Sequence, residues 1–528
     1  MNRVLNRANK RVSFSNAAVL LIATALMAQL LGFFRNRLVS TNFTQVNPGS
    51  TDAFFAAFQI PDFFFLTIAA GALGVAFMPV LADRLHKGDK KAIWDLTSSL
   101  LNLLSIIMLV VSIIIFVFAK PLLQHVVAPK LAPNELHNAV TIMRIVALNP
   151  LLFTLSGILT SVQQTFGRFF FYAIAPLFYN VSIIVSIYLF KHNLGIVGLG
   201  VGALIGASLQ LVIASLGLWG LHFRYRLIIN FKSNDFKLIL RKLPARSIDQ
   251  GVDSINSIVE TNRATTLGSG PASYYNFATT LMNVPVMLFG TAISTAAFPR
   301  MTDRLAQGRP DLFHQDFFKV LRIMIWIAMP VAVISYFCRG YLARLLYGDV
   351  APQVALIFGF LSVAIFARII YTMLSRYFYA QKDTATPLLI SLFVIAFNIF
   401  LAFRLARPSS YGVAGLALAQ SIAAATEVGL LLIVMLVRDP YIFNRVFWGA
   451  IVRIISVTGF SVLAAFIMVS VLPLKISDHG FITLGFKFGL IAGVTLLVHV
   501  VISALFGLDE AKTVMAKIYR IVLSPVRV

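Results

Sequence analysis

The chain has 528 residues, of which 59% are hydrophobic and 12% charged, and its formal net charge is +24. A soluble globular protein has about 25% charged residues, so the composition excludes a water-soluble enzyme, a disordered protein and a disulfide scaffold. The single cysteine, Cys338, permits no internal disulfide and no cysteine-based metal cluster. Basic residues lie in short gaps between long apolar runs, which indicates cytoplasmic loops and anionic lipids rather than nucleic acid. The sequence predicts a polytopic membrane protein without a cofactor or a metal.

Apolar stretches of about 20 residues can cross a bilayer core as helices. In chain order they lie near 16–43, 53–83, 92–119, 138–163, 169–190, 195–222, 271–300, 317–347, 352–380, 386–406, 412–437, 446–473 and 481–507. A further span is expected near 244–267, which brings the total to about fourteen. Lysine and arginine concentrate in alternate loops and in both terminal segments, so we expect both chain ends to be cytoplasmic.

Two stretches of sequence recur about 220 residues apart. AFMPVLADRL at 76–85 aligns with AAFPRMTDRL at 296–305, and GIVGLGVGAL at 195–204 aligns with GVAGLALAQS at 412–421. We therefore predict an all-α fold of two six-helix lobes, 1–228 and 229–440, followed by a helix pair and a basic cytoplasmic tail at 441–528. An even helix count per repeat predicts a pseudo-two-fold axis along the membrane normal, as in parallel-repeat transporters. A duplicated scaffold without moving parts is the alternative.

The predicted span at 244–267 is polar, although the repeat requires a helix there. Its polar residues follow one another at intervals of three or four, which places them on one helical face. They are Arg246, Asp249, Asp253, Asn256, Glu260 and Arg263. An ionised group at the bilayer centre costs about 2.5–3.5 kcal/mol, so we expect this stripe to line protein or a water-filled cavity. The alternative is an amphipathic helix on the cytoplasmic surface.

The first span carries a polar cluster of Gln29, Arg35 and Asn36, and Asp52 begins the second span. An arginine guanidinium suits a phosphate or diphosphate, and Asp52 is expected to orient an arginine there. Extension to the membrane interface is the alternative for Arg35, and it is the expectation for Arg37.

Asn398 and Glu427 are isolated polar residues in later apolar spans. They predict either a cation site in the second lobe or an interhelical hydrogen bond. The sequence contains no GxxxxGK phosphate-binding loop, so we do not expect the chain to hydrolyse ATP.

Four motifs resemble those of the MurJ/MviN family of lipid II flippases, within the multidrug/oligosaccharidyl-lipid/polysaccharide exporter superfamily. They are LLGFFRNRLVS at 30–40, TDAFFAAFQIPDFFF at 51–65, GALGVAFMPVLADRL at 71–85 and YYNFATTLMNVP at 274–285. The resemblance implies a V-shaped, two-lobe transporter of the bacterial inner membrane. Such a transporter moves an undecaprenyl-diphosphate-linked peptidoglycan precursor outward by alternating access.

The resemblance also implies that first-lobe arginines hold the diphosphate. Arg35 and Asp52 match family positions, whereas Phe65 and Thr280 stand where the family has arginine. Our hypothesis is that Arg263 supplies the missing charge.

The expected partners are a lipid-linked saccharide, anionic membrane lipids and a coupling ion, without nucleic acid. Three alternatives remain, of which the first two are a flippase for another lipid-linked polysaccharide and a non-transporting scaffold of envelope synthesis. An ion-coupled exporter of organic cations is a third, which would need an acidic cavity poor in arginine.

Overall fold

The computed structural model describes residues 14–70, 77–440 and 442–512, and the regular elements within these ranges are all helices. The predicted all-α fold is therefore confirmed for this part of the chain. The basic amino-terminal segment and the basic tail lie outside the described residues. So do the side chains of Arg246 and Asp249, which belong to the predicted polar stripe.

The described chain divides into two compact units, residues 1–273 and 274–528. The helices of the first unit are α1 Phe14–Val39, α2 Pro48–Phe64, α3 Met78–His86, α4 Lys90–Pro121, α5 Pro133–Val146, α6 Asn149–Thr165, α7 Phe170–Phe190, α8 Val197–Leu216 and α9 Asn234–Thr265. Three of these helices continue as short π-helical segments, Ser40–Thr44, Phe65–Ala70 and Leu122–Val127.

Helix α10, Pro271–Pro285, spans the boundary between the units. The second unit continues with a π-helical segment, Val286–Thr291, and then with α11 Ala292–Ala306, α12 Pro310–Phe337, α13 Arg339–Tyr347, α14 Ala351–Ala380, α15 Ala385–Leu405, α16 Ala414–Arg438, α17 Arg445–Val471 and α18 Phe481–Leu505. The boundary between the compact units differs from the lobe boundary at 228/229, which rests on the sequence repeat and stays a prediction.

Eleven helical stretches of the described residues are long and apolar enough to cross a membrane, and each coincides with a predicted span. The three remaining predicted spans are also helical in the described residues, as α1, as α2 with its π-helical extension, and as α9. Helix α9 has 32 residues. At 1.5 Å per residue it is about 48 Å long, which exceeds the bilayer core of about 30 Å. The total of about fourteen spans stays a prediction.

The repeated sequence motifs have the same local structure in both units. Two residues after the end of α3, which contains Asp83-Arg84-Leu85, Gly88 has a φ of +72°. Two residues after the end of α11, which contains the second copy, Gly308 has a φ of +69°. In both copies the residue after the glycine donates its amide hydrogen to the carbonyl five residues earlier, at 3.1 and 3.0 Å. Glycine is needed at this position because a side chain disfavours the left-handed conformation.

The second pair of motifs agrees in the same way. Gly195 and Gly412 have φ values of +54° and +55°, and each precedes a helix by two residues, α8 and α16 respectively. In both copies the amide three residues after the glycine bonds to the glycine carbonyl, at 3.2 and 3.1 Å. Two motif pairs with matching backbone geometry are what an internal duplication would produce.

The apolar core of the first unit lies among α3, α4, α6 and the start of α9. Its buried side chains include Leu81, Leu100, Ile158 and Phe236, all with no exposed surface. Phe236 comes from the first turns of α9, so the amino-terminal part of this helix is anchored in the core of the first unit.

An arginine fork fixes the same end of α9. Arg84 donates from Nε to Oδ2 of Asp235 at 2.6 Å and from Nη2 to Oδ1 at 3.0 Å. Paired bonds of this kind set both distance and orientation. At the other end of the helix, Asn262 Nδ2 donates to the carbonyl of Val126 at 2.7 Å. Helix α9 is therefore held at both ends by the first unit.

A buried polar chain joins the last two helices to α12. Trp326 Nε1 donates to Ser503 Oγ at 2.8 Å, and His499 Nε2 lies 3.1 Å from the Trp326 carbonyl. Because a carbonyl only accepts, Nε2 carries the proton, and Nδ1 accepts from Ser461 Oγ at 2.8 Å. The chain thus connects α12, α17 and α18, so that the predicted extra helix pair packs as part of the second unit.

Replacing His499 with leucine should destabilise the protein by about 2–3 kcal/mol, because buried groups lose their hydrogen-bond partners. Thermal unfolding of the purified protein in detergent measures this loss. His479→Leu is the matched control, since His479 is exposed in the loop before α18. Equal melting temperatures for the two variants would contradict a structural role for the polar chain.

Candidate functional site

Arg35 lies near the carboxyl end of α1, where this helix packs against α7. Its guanidinium donates from Nη1 to Asn180 Oδ1 at 3.1 Å. It also donates from Nε and Nη2 to Asn36 Oδ1, at 3.2 and 3.1 Å. Both acceptors are neutral amide oxygens, so these bonds orient the guanidinium without cancelling its charge. An oriented cation of this type can bind a phosphate or diphosphate group.

Asp62, on α2, is the carboxylate that interacts electrostatically with Arg35. Tyr179, which precedes Asn180 on α7, interacts with both charges. The Asp62 side chain is exposed rather than packed in the core. A carboxyl group within a membrane span is costly to expose to lipid, so we expect this side of α2, a predicted span, to line space for water or a ligand.

Sequence reasoning missed Asp62. The signal was available, because Asp62 follows Pro61 inside an apolar span, and an ionisable residue in such a place marks a functional site by default. Gln29, which the sequence did single out, lies on α1 six residues before Arg35 and is half-buried.

Helix α9 places its polar side chains against α2 and the following π-helical segment. Ser257 Oγ donates to Gln59 Oε1 at 3.1 Å. Gly251 lies so close to Thr67 that a Cβ at this glycine would be 3.2 Å from the threonine hydroxyl. Helix α9 is therefore packed closely on the same helix that carries Asp62, through Ser257 and Gly251 rather than through the members of the polar stripe.

The predicted polar stripe becomes more buried along α9. Asp253 is exposed, Asn256 is half-buried, and Glu260 is buried with 9% of its surface exposed. Asn256 Nδ2 donates to Glu260 Oε1 at 3.0 Å, as expected for residues four apart on one face. Arg263 is half-buried one turn further on. The stripe thus presents a cation, a carboxylate and an amide close together near the carboxyl end of α9.

Asp52 has a different environment from the one expected. It has no exposed surface and accepts hydrogen bonds from Gly270 N at 2.6 Å, Ser273 N at 2.7 Å and Ser273 Oγ at 2.6 Å. These contacts cap the amino end of α10 and close the turn that follows α9. In the described part of the chain, Asp52 therefore forms these hydrogen bonds with the turn. The sequence analysis expected it to orient an arginine instead.

The isolated polar residues of the second unit lie among α14, α15 and α16. The Glu427 carboxylate accepts from Ser391 Oγ at 2.6 Å and pairs with Arg368 Nη1 at 3.4 Å. Asn398 is buried two turns after Ser391 on α15. For Glu427, these contacts match the interhelical hydrogen bond that the sequence analysis offered as the alternative to a cation site.

Removing Arg368 alone should destabilise the protein by about 3–5 kcal/mol, because Glu427 would remain as a buried, uncompensated charge. The double variant Arg368→Met with Glu427→Leu should be close to the parent in stability, since it removes both charges. Unfolding midpoints of the two single variants and the double variant measure the coupling. Additive losses would show that the two side chains do not stabilise each other.

A sequence model of the family described as "Lipid II flippase MurJ" matches residues 49–492, which is most of the chain. This chain belongs to the MurJ family. The resemblance inferred from the four motifs is therefore confirmed, and with it the assignment to a family of multi-pass membrane transporters.

Other members of the MurJ family are moderately similar in sequence. A probable lipid II flippase MurJ of Buchnera aphidicola subsp. Acyrthosiphon pisum is 27% identical over 389 residues, which cover 71% of this chain and 74% of the relative. The lipid II flippase MurJ of Burkholderia cenocepacia is 24% identical over 70% of this chain and 74% of its own.

Two solved structures show the same fold. A lipid II flippase MurJ in an inward closed conformation matches with a TM-score of 0.76 and 22% identity, over 92% of this chain and 98% of that chain. An inward-facing multidrug resistance MATE family transporter of the MOP superfamily matches with a TM-score of 0.67 and 15% identity, over 81% and 99%. The chain thus shares the fold of both structures.

Two positions at which the family resemblance leads us to expect arginine are occupied differently in this MurJ-family chain. Phe65 packs on Phe153 with ring centroids 5.4 Å apart, and Phe153 packs on Tyr179 at 5.3 Å. An aromatic row therefore leads to the Arg35 cluster from the side where a cation is expected. Thr280 Oγ1 donates to the carbonyl of Asn276, one turn earlier in α10, at 2.8 Å.

Proposed function

We propose that this chain is a flippase that carries lipid II, the undecaprenyl-diphosphate-linked peptidoglycan precursor, to the outer face of the bacterial inner membrane. Membership of the MurJ family supports the reaction. The observation that carries the site assignment is the Arg35 guanidinium, which two neutral amides orient and whose charge also interacts with Asp62. Transport proceeds by alternating access, while the polyprenyl tail stays in the bilayer.

Arg263 is the second cation of the proposed diphosphate site. It lies on α9, which packs on α2, and α2 carries the Asp62 that interacts with Arg35. Gln29, Asn36 and Glu260 would contact hydroxyl and amide groups of the headgroup. Asp62 would repel the diphosphate while Arg35 attracts it, which keeps binding weak enough for release.

The remaining polar stripe of α9 lines the aqueous path of the headgroup in this proposal. Its members are Arg246, Asp249, Asp253 and Asn256. The first two contribute only through their sequence positions, whereas Asp253 and Asn256 have accessible surface.

The membrane potential is the proposed energy source. Moving one negative charge out of a negative-inside cell gains about 2.3 kcal/mol per 100 mV, and a diphosphate carries more than one. A coupling ion at Asn398 and Glu427 is a second source in this proposal, in which Glu427 would exchange Arg368 for the ion. Both chain ends lie in the cytoplasm, where their basic residues contact anionic lipids.

A flippase for another lipid-linked polysaccharide is the second candidate, and Phe65 and Thr280 favour it. These residues replace two expected cations by an aromatic ring and a hydroxyl, which suit a sugar face better than a phosphate. A scaffold of envelope synthesis is the remaining alternative.

Reconstitution of the purified protein into vesicles tests the proposal. Fluorescent lipid II is incorporated in both leaflets, and a membrane-impermeant reagent quenches the outer leaflet. Rapid quenching of the inner pool in protein vesicles, but not in empty ones, is the expected result. Quenching only with another polyprenyl-diphosphate glycan would favour the second candidate. Failure with both lipids, for protein whose unfolding transition is intact, would favour the scaffold.

A further inference from the structure

A cleft of 570 Å³ opens in the second unit, at the amino end of α12 and beside the segment that joins α16 to α17. The segment after α18 completes its wall. This volume lies within the range of about 300–1,000 Å³ that small-molecule sites occupy. The proposed lipid II site does not use any of the residues that line it.

The lining carries both signs of charge. His314, Lys319 and Arg322 come from α12, whereas Asp439, Asp509 and Glu510 come from the two connecting segments. A purely anionic ligand would meet three carboxylates, and a purely cationic one would meet two permanent cations. A ligand with one positive and one negative group satisfies both walls.

Glu510 supplies the most specific feature of this cleft. Its side chain is 4% exposed, and Oε1 pairs with Arg322 Nη2 at 2.6 Å. Its other oxygen, Oε2, is buried without a hydrogen-bond partner among the described residues. Nε of its partner Arg322 is likewise buried without a hydrogen-bond partner among the described residues. A buried polar atom without a partner costs about 1–3 kcal/mol, so this ion pair can accept one donor and one acceptor from a ligand. A primary ammonium provides such a donor.

Lys319 and the amino end of α17 are available to bind the anionic group of the ligand. Lys319 is exposed in the cleft. The amino end of α17 also lines it, through Asn444, Val446 and Phe447; one amide of this end, Phe447 N, donates to the capping Asn444 Oδ1 at 2.8 Å. Helix amino ends and lysine side chains are common partners of phosphate groups.

The residues around the cleft are of the kinds found at the membrane interface, where lipid headgroups lie. Phe318 packs on Phe447 with ring centroids 5.3 Å apart, and Trp448 follows with 53% of its surface exposed. Aromatic residues of this kind are enriched at the membrane interface. Val446 and Val452 of the same helix are 66% and 61% exposed, which marks a lipid-facing surface beside the opening.

We propose that this cleft binds the headgroup of a zwitterionic amino-phospholipid, with its ammonium at Glu510 and its phosphate at Lys319 and the amino end of α17. The acyl chains lie along the apolar surface of α17. This site is separate from the proposed site for the lipid-linked saccharide. Through it, the second unit binds one class of membrane phospholipid.

The full-length protein is incorporated into vesicles of equal parts phosphatidylethanolamine and phosphatidylglycerol, and the retained lipids are measured by native mass spectrometry. We expect the parent to retain phosphatidylethanolamine preferentially. Glu510→Gln should reduce this preference roughly tenfold, as loss of one charge-assisted hydrogen bond predicts. Asp311→Asn is the matched control: this residue lies on α12 outside the lining and is 58% exposed.

Lys319→Met keeps the test informative if the Glu510 variant does not fold, because Lys319 is exposed. This variant should retain less phosphatidylethanolamine than the Asp311→Asn control. An excess of free phosphoethanolamine should not displace the lipid, since acyl chains contribute about 0.8 kcal/mol per buried methylene group. The proposal is overturned if the parent shows no preference, if both variants match the Asp311→Asn control, or if free phosphoethanolamine competes at equal concentration.

Discussion

Arg35→Ala is expected to lower lipid II flipping by roughly a hundredfold or more, because truncating one partner of a charged contact to a diphosphate costs about 2–5 kcal/mol. The initial rate of quenching in reconstituted vesicles measures the effect, and rescue of a bacterium depleted of its own lipid II flippase measures it in cells. Arg35→Lys should recover part of the rate, since a lysine keeps the charge but loses the forked geometry.

Arg37→Ala is the matched control for Arg35, because it removes the same charge two residues along the same helix. We expect it to transport at nearly the parent rate. Arg263→Ala tests whether α9 supplies the second cation and should reduce transport strongly as well. If Arg263→Ala were neutral while Arg35→Ala abolished transport, the assignment of Arg263 to the diphosphate would be wrong. If Arg37→Ala matched Arg35→Ala, general charge loss would explain both.

Asp52→Ala is expected to destabilise the protein by about 3–5 kcal/mol, since three buried donors of the α9–α10 turn would lose their acceptor. Thermal unfolding in detergent measures the shift. Asp83→Ala is the matched control. Its carboxylate pairs with Lys87 at 2.7 Å on the surface, with 55% of the side chain exposed, so its loss should have no measurable effect.

This experiment also separates two roles of Asp52. A structural cap predicts lower stability, with near-parent flipping per folded molecule at low temperature. A substrate-binding carboxylate predicts an unchanged melting temperature with impaired flipping. The second outcome would return Asp52 to the diphosphate site that the sequence analysis assigned to it.

The spans were predictable from sequence to the extent that apolar length determines them. Helix α9 shows that the internal repeat adds information, because hydropathy alone assigns this polar segment to a loop. The spacing placed Asn256 and Glu260 on one helical face, and their hydrogen bond agrees with that placement, since residues four apart are neighbours on an α-helix.

Partners distant in sequence were not predictable in the same way. Asp52 caps a turn 218 residues away in the chain, and Arg84 binds Asp235 151 residues away. Each carboxylate had several candidate donors, and only tertiary packing selects one. For Glu427, the sequence analysis left a cation and a hydrogen bond open because Arg368 lies on another helix. The π-helical segments after α2 and α10 were missed, although Pro61 and Pro285 precede them.

The two attachments of α9 have a mechanical consequence. Arg84 of α3 binds the amino-terminal end of α9. Asn262, near the carboxyl end of α9, binds the segment that follows α4. Both contacts are with the first unit. A helix that is bound at both ends cannot tilt independently of the unit that binds it. During each transport cycle, the charges of α9 would therefore move with the first unit, and so would the turn at 270–273, because Asp52 holds it to the start of α2.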